Sequence, residues 1–180
     1  MNVSDYIGYY EDIVPDILCK QLMWYSFDFK PSAFANHYKK MDTERNSERV
    51  RMDDVWIGKN NQFYKPISEC FDKVISKYQF PYLTIERKTD FRLHRYTGTG
   101  YMSEHTDNIH HSHGQQFGFP HCSSLLFLND DYMGGEFLVA NKKFKTKKGS
   151  AIIFPSNFMY PHKVKEITKG VRWSIITWLM

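Results

Sequence analysis

From residue 82 onward the apolar residues of this chain repeat with a period of two, in short segments cut by glycine or proline. Leu83 and Ile85, then Phe91 and Leu93 facing away from Arg92, His94 and Tyr96, read as strands. The segments SSLLFLN (123–129), GEFLVA (135–140), SAIIF (150–154) and RWSIITW (172–178) continue the pattern. Several short strands with such breaks specify a sandwich, jelly roll or barrel rather than a helical bundle. The aromatic content of 17% agrees, because aromatic and β-branched side chains suit a pleated, half-buried surface.

The first 80 residues carry a different period. Pro15 is placed to open a helix with Asp16 in its first turn, and Val14, Leu18, Leu22 and Tyr25 recur at helical spacing. After Pro66, residues Ile67, Cys70, Phe71, Val74, Ile75 and Tyr78 step by three and four into one apolar stripe. Between these helices, residues 36–54 (NHYKKMDTERNSERVRMDD) are charged and without apolar periodicity, which predicts a surface loop or cover. The expectation is one domain over 1–180: helical support and a charged loop in 1–80, and a β-roll core in 82–180. The fold class is mostly β with flanking α-helices, and 180 residues suffice for a single core.

A formal net charge of +4 is too mild for a dedicated nucleic-acid binder. Cys19, Cys70 and Cys122 are odd in number, widely separated and lack CxxC spacing, so free thiols in a reducing compartment are expected. The N-terminal stretch MNVSDYIGYYEDIVP has no apolar signal core, and no apolar run is long enough to span a bilayer. These features predict a soluble, cytoplasmic protein without membrane partners.

The chemistry concentrates in RYTGTGYMSEHTDNIHHSH. In an H-x-D pair on extended backbone both side chains lie on one side, so His105 and Asp107 can converge on one metal ion. His162, in YPHKV after the strand SAIIF, is the candidate third ligand. Two imidazoles and one carboxylate leave coordination positions open, the arrangement that suits non-haem Fe(II) oxygen chemistry. On the alternating strand RWSIITW, Arg172, Ser174, Ile176 and Trp178 share one face. An arginine turned into a β-roll needs an anion, a planar carboxylate is its best bidentate partner, and Ser174 can add a hydroxyl to the same group.

Taken together, RYTGTGY, HTDN, LLFLND, GGEFLV, the glycine of KKGSAIIF, YPHKV and GVRWSIITW resemble the iron- and 2-oxoglutarate-dependent dioxygenases of the prolyl 4-hydroxylase type. The resemblance covers residues 92–180 well and the N-terminal half loosely. It implies a double-stranded β-helix (jelly roll), with His105, Asp107 and His162 as iron ligands and Arg172 on the far carboxylate of 2-oxoglutarate. It further implies that Tyr96 hydrogen-bonds the cosubstrate and that Trp178 is an aromatic beside the iron ligands. The cofactors implied are Fe(II), 2-oxoglutarate and dioxygen, with ascorbate as reductant, and the activity is hydroxylation of a polypeptide at prolyl residues with succinate and carbon dioxide as coproducts. The chain departs from the family in two places. Phe127 stands where the oxygen-sensing branch has a tyrosine that contacts 2-oxoglutarate, and Ser174 is the candidate replacement. Three residues rather than two separate Tyr101 from His105, a difference a bulge could absorb.

Other readings compete for the remaining residues. His110, His111 and His113 read as decoration of a lid beside the site, and His94 and His121 as satisfied structural histidines or as supports behind the residues of the site. The run KKFKTKK (142–148), with Lys142, Lys143, Lys145, Lys147 and Lys148, reads as a solvated hairpin turn or a docking patch for an acidic partner. The alternatives to a polypeptide hydroxylase are the same chemistry on a nucleobase or small metabolite, which draws only on the mild basicity and this run, and a non-catalytic β-roll that holds zinc.

Overall fold

A computed structural model describes residues 2–32, 49–107, 119–144 and 146–180. In chain order the strands are β1 (Gly8–Tyr10), β2 (Lys30–Pro31), β3 (Val50–Arg51), β4 (Asp53–Ile57), β5 (Phe91–Tyr96), β6 (Tyr101–His105) and β7 (Cys122–Phe127). They continue as β8 (Met133–Gly134), β9 (Phe137–Val139), β10 (Lys142–Phe144), β11 (Ala151–Pro155), β12 (His162–Val164), β13 (Ile167–Lys169) and β14 (Arg172–Leu179). Among the described residues, the helices α1 (Asp16–Trp24) and α2 (Tyr64–Lys77) precede β5.

The strands form a major sheet in the order β1-β11-β7-β14-β5-β4-β2 and a minor sheet in the order β10-β9-β12-β6-β3, with β13 and β8 as a separate pair. From β5 to β14 the chain passes back and forth between the two sheets, which is how a jelly roll wraps them around one interior. The first 80 residues do more than provide helices and a loop. They supply β1, β2 and β4 to the major sheet and β3 to the minor one, so part of the expected charged loop, residues 50–51 and 53–54, is strand. Arg49 and Arg51 are exposed, Arg51 donates to Thr99 Oγ1 at 2.8 Å, and Arg45 lies outside the described residues.

Two apolar layers result, one on each face of the major sheet. The helix stripe meets the outer face, where Leu18, Leu22, Ile67, Phe71 and Val74 pack with Phe91, Leu93, Leu126, Ile175 and Leu179. Tyr25, expected to extend the first stripe, caps the helix instead and is 46% exposed. The inner face meets the minor sheet, where Tyr96, Leu125, Phe127, Ile176 and Trp178 pack with Phe137, Val139 and Val164. The alternation along RWSIITW thus separates two buried environments rather than core from solvent. The same geometry explains why SSLLFLN is buried at every strand position: a central strand covered on both faces need not alternate.

Two local expectations fail for identifiable reasons. Leu83 and Ile85 are not in a strand; Tyr82, after Pro81, has φ +68°, and the chain then closes on the C-terminus through Glu86 and Arg87 amides donated to the Met180 carbonyl. Both side chains pack against the helix-side core, so their period-two burial is real but unladdered. The hairpin turn lies before the lysine run. Val139 pairs with Lys142 across Ala140 (φ +47°) and Asn141 (φ +62°), a two-residue connection of the primed kind. Lys142 and Lys143 are therefore strand residues, whereas Lys143, Lys147 and Lys148 pair with Glu136, Glu11 and Asp16. Lys145 lies outside the described residues, as do His110, His111 and His113.

Candidate active site

His105 is the last residue of β6 and His162 the first of β12, and the two stand directly opposite each other in the minor sheet. Their ring centroids are 4.2 Å apart. The strand ends at His105, yet the chain turns so that Asp107 still closes the group: its carboxylate oxygens lie 3.6 Å from His105 Nε2 and 3.4 Å from His162 Nε2. One ligand atom from each of the three lies within 4.8 Å of the others. Atoms bound at about 2.1 Å to one ion are roughly 3–3.5 Å apart, so the cluster has the dimensions of a metal site. The extra residue between Tyr101 and His105 is taken up by a register shift: β12 advances from His162 to Val164 while β6 runs back from His105 to Met102.

Both histidines are oriented by their own backbones. His105 Nδ1 lies 2.8 Å from the Ser103 carbonyl and His162 Nδ1 lies 3.1 Å from the Tyr160 carbonyl. Nδ1 must carry the proton to donate to a carbonyl, which leaves Nε2 as a lone-pair donor aimed into the cluster. Asp107 is 3% exposed and accepts a short hydrogen bond from Ser123, whose hydroxyl also lies 2.8 Å from Ser156. Ser123 is opposite Trp178 on β14 and Phe154 on β11, so the major sheet braces the ligand that the minor sheet's loop presents.

Arg172 is fully buried between the two sheets. Its guanidinium lies 5.0 Å from the Tyr96 ring, 5.5 Å from Phe127 and 5.9 Å from Phe137, and Nη1 donates to Ser174 at 3.1 Å. Nε and Nη2 have no hydrogen-bond partner among the described residues. A buried cation with unspent donors costs several kcal/mol, so the donor set fits a carboxylate presented to its free edge. Tyr96 lies opposite Arg172 on β5, and burial, moderated by that guanidinium, pushes its phenol up to about 12, so it stays a neutral donor. Ser174 is fully buried beside them, and Trp178 is buried with its ring 6.1 Å from the half-exposed Trp56.

Three further residues support the site without having been singled out as part of it. Ser123 carries no signal of its own beyond a place in a buried strand. Asn129 is the asparagine of LLFLND; its Nδ2 donates to the Val171 carbonyl at 2.7 Å and its Oδ1 accepts from the Trp173 amide at 2.8 Å, clasping the backbone on both sides of Arg172. Gly135, with φ +63°, runs so close that a Cβ there would lie 2.3 Å from Ile167 Cδ1 and 3.2 Å from Arg172 Cδ. Asn129→Ala should lower stability by about 1 kcal/mol, since it leaves a partly buried carbonyl and a partly buried amide without this partner. Chemical denaturation measures this, and an unchanged midpoint would show that the clasp contributes nothing. His94 is not a satisfied structural histidine, one of its two expected roles: it is buried with neither ring nitrogen bonded to a described residue.

Residues 91–180, from β5 to the end of β14, match the 2OG-Fe(II) oxygenase superfamily. A protein of Acanthamoeba polyphaga mimivirus named as a prolyl 4-hydroxylase is 30% identical over 150 residues, 74% of this chain and 57% of that one. The chain thus spans little more than half the length of that relative. The prolyl hydroxylase of Trichoplax adhaerens, solved with a hypoxia inducible factor peptide fragment, superposes with a TM-score of 0.75 at 19% identity, over 98% of this chain and 84% of that one. The viral collagen prolyl hydroxylase of Paramecium Bursaria Chlorella virus-1 superposes with a TM-score of 0.70 at 16% identity, over 99% and 98%. These likenesses establish a shared jelly-roll fold, and the match across half its residues places the chain in the 2OG-Fe(II) oxygenase superfamily.

Proposed function

We propose that this protein is an Fe(II)- and 2-oxoglutarate-dependent dioxygenase that hydroxylates a polypeptide at prolyl residues. The observation that carries the reading is a single interior holding two complementary half-sites. One is the His105–Asp107–His162 cluster; the other is Arg172, buried with two guanidinium nitrogens uncommitted. In this reading the three side chains hold iron and Arg172 holds the far carboxylate of 2-oxoglutarate, while Tyr96 and Ser174 supply neutral hydrogen-bonding groups beside it. Iron, 2-oxoglutarate and dioxygen together supply the oxidising chemistry, with succinate and carbon dioxide as coproducts. The aromatic walls of Phe127, Phe137 and Phe154 exclude water from the interval between the half-sites. Trp56, half-exposed and packed 6.1 Å from the Trp178 ring, offers an aromatic surface suited to an apolar residue of an incoming peptide.

The prolyl assignment rests on the names of the sequence relative and the structural neighbours, together with the peptide bound by the Trichoplax enzyme. Ascorbate as a reductant and a cytoplasmic setting belong to the same proposal; the three cysteines are buried free thiols, which suits a reducing compartment. A nucleic-acid substrate draws less support from the lysine run than its sequence suggests, because Lys143, Lys147 and Lys148 each face a carboxylate. Incubating the protein with Fe(II), 2-oxoglutarate, oxygen and a panel of proline-containing peptides should yield succinate and a gain of one oxygen on proline, read by mass spectrometry. Succinate with oxygen gained elsewhere would overturn the prolyl assignment. No succinate with any peptide, and no binding of 2-oxoglutarate, would overturn the oxygenase reading itself.

A further inference from the structure

Across the inner face of the major sheet, Asp54, His94, Ser174 and Phe127 stand in register on the adjacent strands β4, β5, β14 and β7. His94 is two residues from Tyr96 and on the same face, its ring 6.1 Å from that phenol and nearly perpendicular to it. It is 3% exposed, and neither Nδ1 nor Nε2 has a hydrogen-bond partner among the described residues. Asp54, the acid beside it in the row, is committed to Arg92. A buried imidazole normally satisfies at least one nitrogen, so a side chain with both unspent points to a polar group brought into the interior.

The neighbours in the row bear on which group that is. Phe127 flanks Ser174 on one side and offers no hydrogen-bonding group toward the Arg172 guanidinium, which its ring faces at 5.5 Å. His94 flanks Ser174 on the other side, at the same depth. We infer that His94 donates a ring N–H to the far carboxylate of the cosubstrate, completing with Arg172 and Ser174 a three-sided anion cradle from which Phe127 is chemically absent. Burial, and then the Arg92 and Arg172 cations, hold the free imidazole well below its usual pKa, so it meets the carboxylate as a neutral donor. The role is one of positioning the cosubstrate. It rests on the 2-oxoglutarate reading above and adds a residue to it.

The test compares two 2-oxo acids that present the same keto and near-carboxylate groups, of which only 2-oxoglutarate has a far carboxylate. Each is titrated into the anaerobic Fe(II) protein and followed by its metal-to-ligand absorption band, with pyruvate as the second ligand. In His94→Phe the 2-oxoglutarate midpoint should rise about tenfold while the pyruvate midpoint stays within about twofold, as expected for one lost hydrogen bond to a charged group. His94→Gln, which keeps a donor, should recover most of the loss. An unchanged 2-oxoglutarate midpoint, or an equal rise for both acids, would overturn the assignment. If His94→Phe does not fold, the wild-type protein decides: with Zn(II) in place of iron, the His94 imidazole 15N resonances should shift on addition of 2-oxoglutarate and not of pyruvate, and their constancy would overturn it. Wild-type protein that binds pyruvate and 2-oxoglutarate equally weakly would instead remove the cosubstrate reading on which this one stands.

Discussion

Asp107→Ala is expected to abolish turnover and to weaken Fe(II) binding by several orders of magnitude, with the fold retained. Asp107 is the only anionic member of the cluster, and without it two neutral imidazoles would be left to hold a dication. The substitution also strands Ser123, whose hydroxyl donates to Asp107 and contacts Ser156 in a fully buried position. Folding should survive because Asp107 lies past the end of β6, outside both apolar layers, and because removing a buried carboxylate relieves a desolvation cost in the metal-free protein. Fe(II) titration and the melting temperature of the apo protein check both parts. Wild-type iron affinity in the variant would contradict the ligand assignment, and an unfolded apo protein would show that Asp107 is structural. Ser123→Ala provides a graded comparison: a lost support of this kind costs about 10–100-fold in metal affinity rather than all of it.

Much of this site is legible in the sequence because its chemistry sits on strands. Alternation on RWSIITW puts Arg172, Ser174 and Trp178 on one face, whereas Asp107 reaches His105 through a bend after β6 rather than through the extended backbone that the H-x-D spacing suggests. Alternation does not say which face is which. A sheet covered on both sides has two interiors, and nothing in the order of residues separates the helix-packed side holding Ile175 and Leu179 from the roll side holding Ile176 and Trp178. Ser123, Asn129 and His94 stay hidden for a related reason. Each is tied to a residue that only the fold brings near: Ser123 bonds Asp107, Asn129 bonds Val171 and Trp173, and His94 stands opposite Ser174. The N-terminal strands escape the pattern because β2 and β3 are two residues long and hold by ladder bonds rather than by an apolar stripe. Charged residues such as Asp53 and Asp54 look like a loop, although they are strand residues paired with Arg95 and Arg92 across the β4–β5 ladder.

The two sheets divide the work of the site. The minor sheet, through β6 and β12, sets the two histidines at one cross-strand position, and the major sheet, through β5 and β14, presents Tyr96, His94, Arg172 and Ser174. A metal half and an anion half carried on different sheets can be altered separately, which makes substitutions in one informative about the other.

Arg172→Ala tests that separation most directly. Iron binding through His105, Asp107 and His162 should remain nearly intact, because Nη1 of the guanidinium is spent on Ser174 and the group faces the aromatic rings of Tyr96, Phe127 and Phe137. The affinity for 2-oxoglutarate should fall by about one to two decades, since a charge-assisted bidentate contact is worth roughly 1.5–3 kcal/mol. Arg172→Lys should recover part of the loss, because lysine keeps the charge and gives up the planar fork. The alanine variant opens a cavity lined by Tyr96, Phe127 and Phe137, yet it also removes a buried cation with two unpartnered nitrogens, and these effects on stability oppose one another. Anaerobic titration of 2-oxoglutarate into the Fe(II) protein, followed by its absorption band, reads the anion half, and metal content reads the other. A midpoint unmoved in Arg172→Ala would mean that the guanidinium serves another anion, and a parallel loss of iron would mean that the two halves are not separable.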